Sequence, residues 1–564
     1  MKFNEITYIR PDLDSYVASF EIQVKYFREA GSADKADEAM QEIYRLRRHF
    51  DTMLNICSVR HTINTSDPFY EAEQNFYDEH LPDYQRLVNE FYRALVISPF
   101  RDTIVKVYGH QLFNIAELTL KTFSDEVMED LKEENLLSSE YTRLLAAAQI
   151  EYEGNTYNLS GLAPFQLSTN REERINSAAA FYGFFSQHRN TLDELFDRLV
   201  KIRHRIAQKL GFRSFTELAY ARMNRSDYDA DMVSAFRDLV LREVVPAAQK
   251  IKEKQRLRLG IEKMMYFDDG LDFASGNAKP HGSAEWILNH ASTMYAELSP
   301  QTNEFFQFMR RNELMDLVNK PDKAAGGYCT FFSEFKSPFI FSNFNGTSHD
   351  IDVLTHEAGH AFQGYCSRNY QIDEYYYPTL EACEIHSMSM EFLTWPWMPL
   401  FFGKESDKYK YAHLSHSLSF IPYGVSVDEF QHEVYDHPEM TPAERNATWR
   451  RIEKMYMPWK EYDIPYLNDG CYWHKQPHIF RSPFYYIDYT LAQLCAFQFW
   501  KKSNENRQQA LIEYVRLCEA GGSKPFLELV NLANLESPFQ ESTIKNVVME
   551  VESWLNSIDD SRMN

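Results

Sequence analysis

The chain has 564 residues, 44% of them hydrophobic, and a formal net charge of −23. That length exceeds one ordinary domain, the apolar share suits a large buried core, and an acidic balance without a basic face argues against nucleic-acid binding. No apolar run is long enough to span a membrane, the opening residues Met1–Ile6 lack a signal-peptide core, and seven scattered cysteines without a C-x-x-C pair fit reduced thiols, so a cytoplasmic protein is expected.

Residues 12–148 read as successive amphipathic helices, for example 37–50 and 84–97. Glycines and asparagines then cluster at 153–161, where Tyr157 and Leu159 suit a short strand. A domain boundary is expected there, dividing an N-terminal helical lobe, 1–160, from a catalytic domain, 161–564. Helices resume beyond Thr169, whose spacing to Glu172 predicts a capping box, and 222–260 reads as helix. Strand signals are few. The clearest are 327–332 and 338–344, closed by a turn at Asn345-Gly346. The tail from Asp559 is polar and is expected to fray. Aromatic residues, 15% of the chain, fit bulky core packing, with the lining of a peptide cleft as the alternative.

The densest chemistry is His356-Glu357-Ala358-Gly359-His360. Histidines four apart share one face of a helix and can offer nitrogens to one zinc ion at about 2.0–2.1 Å, while Glu357 can reach a water on it. Thr347 and Asp350 have capping-box spacing for that helix, and Gly359 leaves room for another element to approach its backbone. A metzincin extension would require glycine at 363 and histidine at 366; the chain has Gln363 and Cys366, the latter read as a buried thiol. The third ligand is therefore sought on a second helix, from Pro378 to Trp395-Pro396. There Glu384, Ser387 and Glu391 share a face. Glu384 is read as the ligand, Glu391 as an acceptor for a histidine N–H, Glu381 as the rival ligand and His386 as a packing residue.

These segments, with 478–489, resemble the thimet oligopeptidase / oligoendopeptidase F family of zinc peptidases, in particular the shorter bacterial and Pz-peptidase-like members. The likeness lies in 352–361, in the E-x-x-S-x-x-x-E stretch 384–391, and in His478-Ile479-Phe480-Arg481-Ser482-Pro483-Phe484-Tyr485-Tyr486-Ile487-Asp488-Tyr489. It implies a mainly α, two-lobed zincin-type fold around a deep substrate channel, a small sheet beside the site, and one zinc ion held by His356, His360 and Glu384. It also implies that His478, Tyr486 and Tyr489 face the metal and bind the reacting carbonyl. By spacing alone, Tyr486 and Tyr489 are better read as aromatic core packing, and it is the resemblance that reverses that reading.

The expected activity is zinc-dependent hydrolysis of internal bonds in short unfolded peptides. Glu357 would serve as general base, with Tyr489, His478 and Tyr486 stabilising the oxyanion. The strand pair could receive an extended peptide by strand addition. Two alternatives remain. A zinc carboxypeptidase or dipeptidyl-carboxypeptidase on a similar fold would need a cation for the terminal carboxylate, for which Arg481 and Lys475 are candidates. A non-catalytic binding protein with structural zinc would need a fourth protein ligand.

Overall fold

Long amphipathic runs in this sequence fold as long helices. The computed structural model describes residues 2–563, which are mainly α-helical, with five short strands as the only β-structure among them. The runs at 37–50 and 84–97 lie within longer helices, Ala33–Ile63 and Pro68–Val96. Ser32 caps the first by accepting from Lys35 N; Asp67 caps the second, with Pro68 in its first turn. Helix Ala33–Ile63 feeds two cores. Tyr44 and Phe50 join a cluster that includes Phe20, Phe91 and Leu112, whereas Met53, Ile56 and Val59 join the larger core of the remaining chain. Two ion pairs tie the same helix to the segment preceding the second site helix: Arg47–Glu374 and Arg48–Asp373, both at 2.6 Å.

The break at 153–161 forms a hairpin, β1 (Ile150–Tyr152) with β2 (Asn155–Tyr157), turning through positive φ at Glu153 and Gly154. A second sheet has the order β3 (Met315–Val318), β5 (Ser337–Phe344), β4 (Tyr328–Phe332). β3 runs parallel to β5 and β4 antiparallel to it, which leaves β4 at an edge. The predicted turn at Asn345-Gly346 is present, with Gly346 at φ +85°.

Several local expectations are corrected. Neither predicted capping box forms. The helix after Thr169 is Arg171–Gln187, capped by Asn170, which accepts from Glu172 N. The motif helix is His349–Ser367, and Asp350 reaches back to accept from the Asn345 and Gly346 amides at 2.9 Å each, so it braces the preceding turn. The stretch 222–260 is interrupted at 223–229; its helix runs from Ala230 to Leu259 through a π-turn at Val240–Val244. The tail is tied down in part, since Asp560–Met563 forms a 3-10 turn and Asp560 pairs with Arg258 at 2.8 Å.

Candidate active site

The site begins with two crossing helices. A Cβ on Gly359 would lie 2.6 Å from both His386 O and Ser387 Cα, so only glycine lets the motif helix meet helix Leu380–Leu393 this closely. That crossing brings Glu384 beneath both histidines. Glu384 Oε2 lies 3.1 Å from His356 Nε2 and 3.3 Å from His360 Nε2. One donor atom from each of the three residues falls within 4.8 Å of the others. Bonds of about 2.05 Å in a tetrahedron give ligand–ligand edges of about 3.3 Å, so the donor set and its spacing fit one zinc ion with a corner to spare.

Each donor is oriented by a partner. Glu391 Oε1 lies 2.7 Å from His356 Nδ1, and the other carboxylate oxygen lies 2.7 Å from His413 Nε2. Trp395 Nε1 donates to His413 Nδ1, so His413 presents its N–H to Glu391. His356 then keeps its Nε2 lone pair for a metal. Burial favours protonation of Glu391, but its two histidine partners outweigh this and bring its pKa to about 2. Glu384 accepts from Tyr485 OH at 2.5 Å and from Ser387 Oγ at 2.8 Å. Burial pushes its pKa up, yet His360 and His356 hold it well below the usual carboxylate range. Burial alone would lower the pKa of His356, but Glu384 and Glu391 raise it well above its ordinary value. A cation is thus favoured where the three donors meet.

Glu357 differs from its neighbours. It is 5% exposed, its Oε2 has no hydrogen-bond partner, and burial raises its pKa. It lines a cavity of about 440 Å³ together with His356, His478, Tyr486 and Tyr489. Gly327 also lines it, and a Cβ there would lie 3.2 Å from Glu357 Oε1, so chain and carboxylate meet closely.

The opposite wall is neutral. Tyr423 OH donates to Gln476 Oε1 at 2.7 Å, which turns the amide nitrogen toward His478 Nδ1 at 2.8 Å. His478 Nε2 therefore carries the proton and lies 3.1 Å from Tyr489 OH. With its oxygen accepting, Tyr489 keeps its own O–H for the cavity. Burial holds His478 at a pKa of about 4 and pushes that of Tyr489 well up, so both are neutral near pH 7. The tyrosines sit at the start of helix Tyr486–Ala520, which is broken at Asn506. The preceding Phe484 has φ +66°, a strained conformation for a bulky residue, and is gripped from both sides. Its N–H donates to Gln431 Oε1, and its carbonyl accepts from Arg225, which also holds Asp488 at 2.6 Å.

All seven expected site residues thus border one region. His356, His360 and Glu384 converge, while Glu357, His478, Tyr486 and Tyr489 line the adjoining cavity. Tyr486 packs its ring against Tyr423, Phe420 and His478. The rival Glu381 is fully buried away from the histidines, both oxygens unpartnered, and burial beside Asp488 raises its pKa to about 8. His386 is fully buried, as a packing residue would be. Sequence reasoning missed Tyr485, His413, Gln476 and Tyr423. Tyr485 was detectable, because 485 and 489 are the i, i+4 pair on one helical face.

The mainly α fold and its His-His-Glu cluster define a metallopeptidase. Residues 165–549 match Peptidase family M3 and residues 3–123 match the Peptidase M3 N-terminal domain. The chain belongs to peptidase family M3, whose members are zinc metallopeptidases. It is 55% identical to a solved structure described as Pz peptidase A with inhibitor 2, at a TM-score of 0.99, covering 99% of this chain and 100% of that one. The oligoendopeptidase F homolog of Borreliella burgdorferi is 24% identical over 423 residues, spanning 72% of this chain and 69% of that protein. The homolog from Mycoplasma pneumoniae is 21% identical over 601 residues, 95% of this chain and 93% of that protein. An oligoendopeptidase-F from Enterococcus faecium, 16% identical with a TM-score of 0.65 over 97% of this chain and 98% of that one, shares the fold.

Proposed function

We propose that this metallopeptidase is a zinc-dependent endopeptidase of short, extended peptides, with Glu357 as its general base. The observation that carries the reading is the unpartnered, buried Glu357 oxygen in the cavity beside three convergent donors. His356, His360 and Glu384 would hold the ion. Bound there, zinc supplies Lewis-acid polarisation and draws the pKa of a water toward about 7. Glu357 takes a proton from the attacking water and passes it to the leaving nitrogen, and its raised pKa suits both transfers. Tyr489 donates to the carbonyl oxygen as charge develops there, and the Tyr423–Gln476–His478 chain fixes the direction of that donation. Tyr485 and Ser387 keep the Glu384 carboxylate aimed at the histidines.

β4 has a strand neighbour on one side only, and its other edge, where Asn55 already holds the Phe331 carbonyl, offers its remaining main-chain groups to an extended peptide, which supports broad sequence tolerance. Residues 1–160 act as a lobe over the catalytic part, 161–564, and cavities of about 750 and 530 Å³ lie where residues of both segments face each other. Peptides enter there and folded proteins do not.

For the exopeptidase alternative, Lys475 is unsuitable. Its amine donates to Tyr472 OH and lies 4.0 Å from that ring's centroid, while burial lowers its pKa to about 7. Mass mapping of an end-blocked decapeptide, with chelator and with zinc restored, decides the matter. Internal cuts that vanish with chelator and return with zinc support the proposal; an uncut end-blocked peptide alongside trimming of its free-ended form contradicts it.

A further inference from the structure

The cavity of about 750 Å³ is walled on one side by N-terminal helices and on the other by the segment that joins His478 to Tyr485. Arg481, the last residue of the short helix Pro477–Arg481, lines it and keeps solvent contact there. Its guanidinium makes no hydrogen bond or ion pair with any described residue. The neighbouring cations are committed: Arg203 and Arg222 both pair with Glu134.

The acidic groups within electrostatic reach of Arg481 are Asp78, Tyr328 and Tyr141, and each already has a partner. Asp78 accepts from Gln74 at 2.9 Å and Ser139 at 2.6 Å. Tyr328 OH is 2.6 Å from Thr62 Oγ1, and Tyr141 OH donates to the His474 carbonyl. Enclosure by protein lowers the pKa of Arg481, although a guanidinium still carries its charge at neutral pH. The guanidinium is exposed to the cavity and has no counterion, and its fork of N–H donors matches a carboxylate. A second group waits in the same cavity: His61 is 3% exposed and its Nε2 has no partner.

We propose that Arg481 is a recognition site for a carboxylate of the peptide substrate. The proposal rests on the endopeptidase reading above. His478 lies one helical turn before Arg481, so their side chains start about 5–6 Å apart. An extended peptide advances about 3.3 Å per residue, which puts the bound carboxylate within about three residues of the cleaved bond. The carboxylate is either an Asp or Glu side chain or the peptide's own C-terminus.

The test uses zinc-loaded full-length enzyme and paired peptides. One set is amidated and acetylated, with Gln replaced by Glu at each of the three positions on either side of the cut. The other compares free-acid and amide C-termini. The expected result is a ten- to hundredfold preference, in kcat/KM, for the acidic member of one pair. A side-chain source shows the preference among amidated peptides, whereas a terminal source shows it only between free acid and amide. Arg481→Gln brings the ratio near one, Arg481→Lys keeps part of it, and about 1 M salt shrinks it in wild type. Calorimetric titration of the same pairs into the Glu357→Gln variant gives the affinity ratio without turnover. Failure to cut any end-blocked peptide therefore counts against the endopeptidase reading alone. A wild-type ratio near one for every pair overturns the proposal, and so does a preference that survives in Arg481→Gln.

Discussion

On one wall of the site, His356, His360, Glu384 and Glu391 stand on two helices that cross at Gly359, and hydrogen-bonded contacts tie their charges together. On the other, His478, Tyr485 and Tyr489 stand around a strained turn, and burial keeps them neutral. The first wall is set by helical periodicity, so short-range spacing encodes it. The second is set by hydrogen bonds between residues tens or hundreds apart, such as Tyr423 to Gln476, Gln431 to Phe484, and Arg225 to Asp488. The charged wall suits a cation and proton transfer; the neutral wall suits donation to an oxygen that becomes negative only during reaction.

Substitutions can break either wall separately. The largest expected effect is at Glu357. Glu357→Gln keeps the shape and lowers kcat about 10³–10⁴-fold at full zinc content, as read by atomic absorption beside steady-state assays. Undiminished turnover would remove Glu357 from the mechanism. On the neutral wall, Tyr489→Phe lowers kcat by about 10²–10³ with little change in KM, because its hydrogen bond forms fully only in the transition state. A rise in KM alone would make Tyr489 a binding group. Glu391→Gln leaves His356 without its carboxylate and weakens zinc affinity by about 10–100-fold, as measured by competition with a chelating dye.

The smallest effect is a pH dependence from His478. Its pKa is about 4 in the fold against 6.5 when free. Between those values the unfolded chain binds more protons, so this residue's contribution to stability is complete above about pH 6.5 and is lost as pH falls toward 4. The zinc-loaded His478→Asn variant should therefore lose less melting temperature than wild type between pH 6.5 and 4.5. Equal losses would mean that His478 titrates normally.

The metal wall was legible because it follows from side chains on single helices: the histidine pair, Glu384 with Ser387 and Glu391, and a glycine where two backbones must touch. The choice between Glu384 and Glu381 lay one helical turn apart in the sequence. In the fold, one meets two imidazoles and the other a buried carboxylate. Tyr485 stands at the cap of helix Tyr486–Ala520, and 485/489, like 486/489, has a spacing that aligns on a helix. Gln476, Tyr423 and His413 carried no local signal, since an isolated amide, phenol or imidazole gains its role only when folding brings a partner. The predicted caps failed for a related reason: Asp350 found closer donors in the turn before the helix than at its first amides.

The account stands on the claim that His356, His360 and Glu384 share one zinc ion. Anomalous diffraction across the zinc absorption edge, from crystals grown with stoichiometric zinc, tests it most directly. The expected result is one strong peak at about 2.0–2.2 Å from both Nε2 atoms and a Glu384 oxygen, absent in Glu384→Ala. A peak held elsewhere, or none at this cluster with peptidase activity intact, would contradict it.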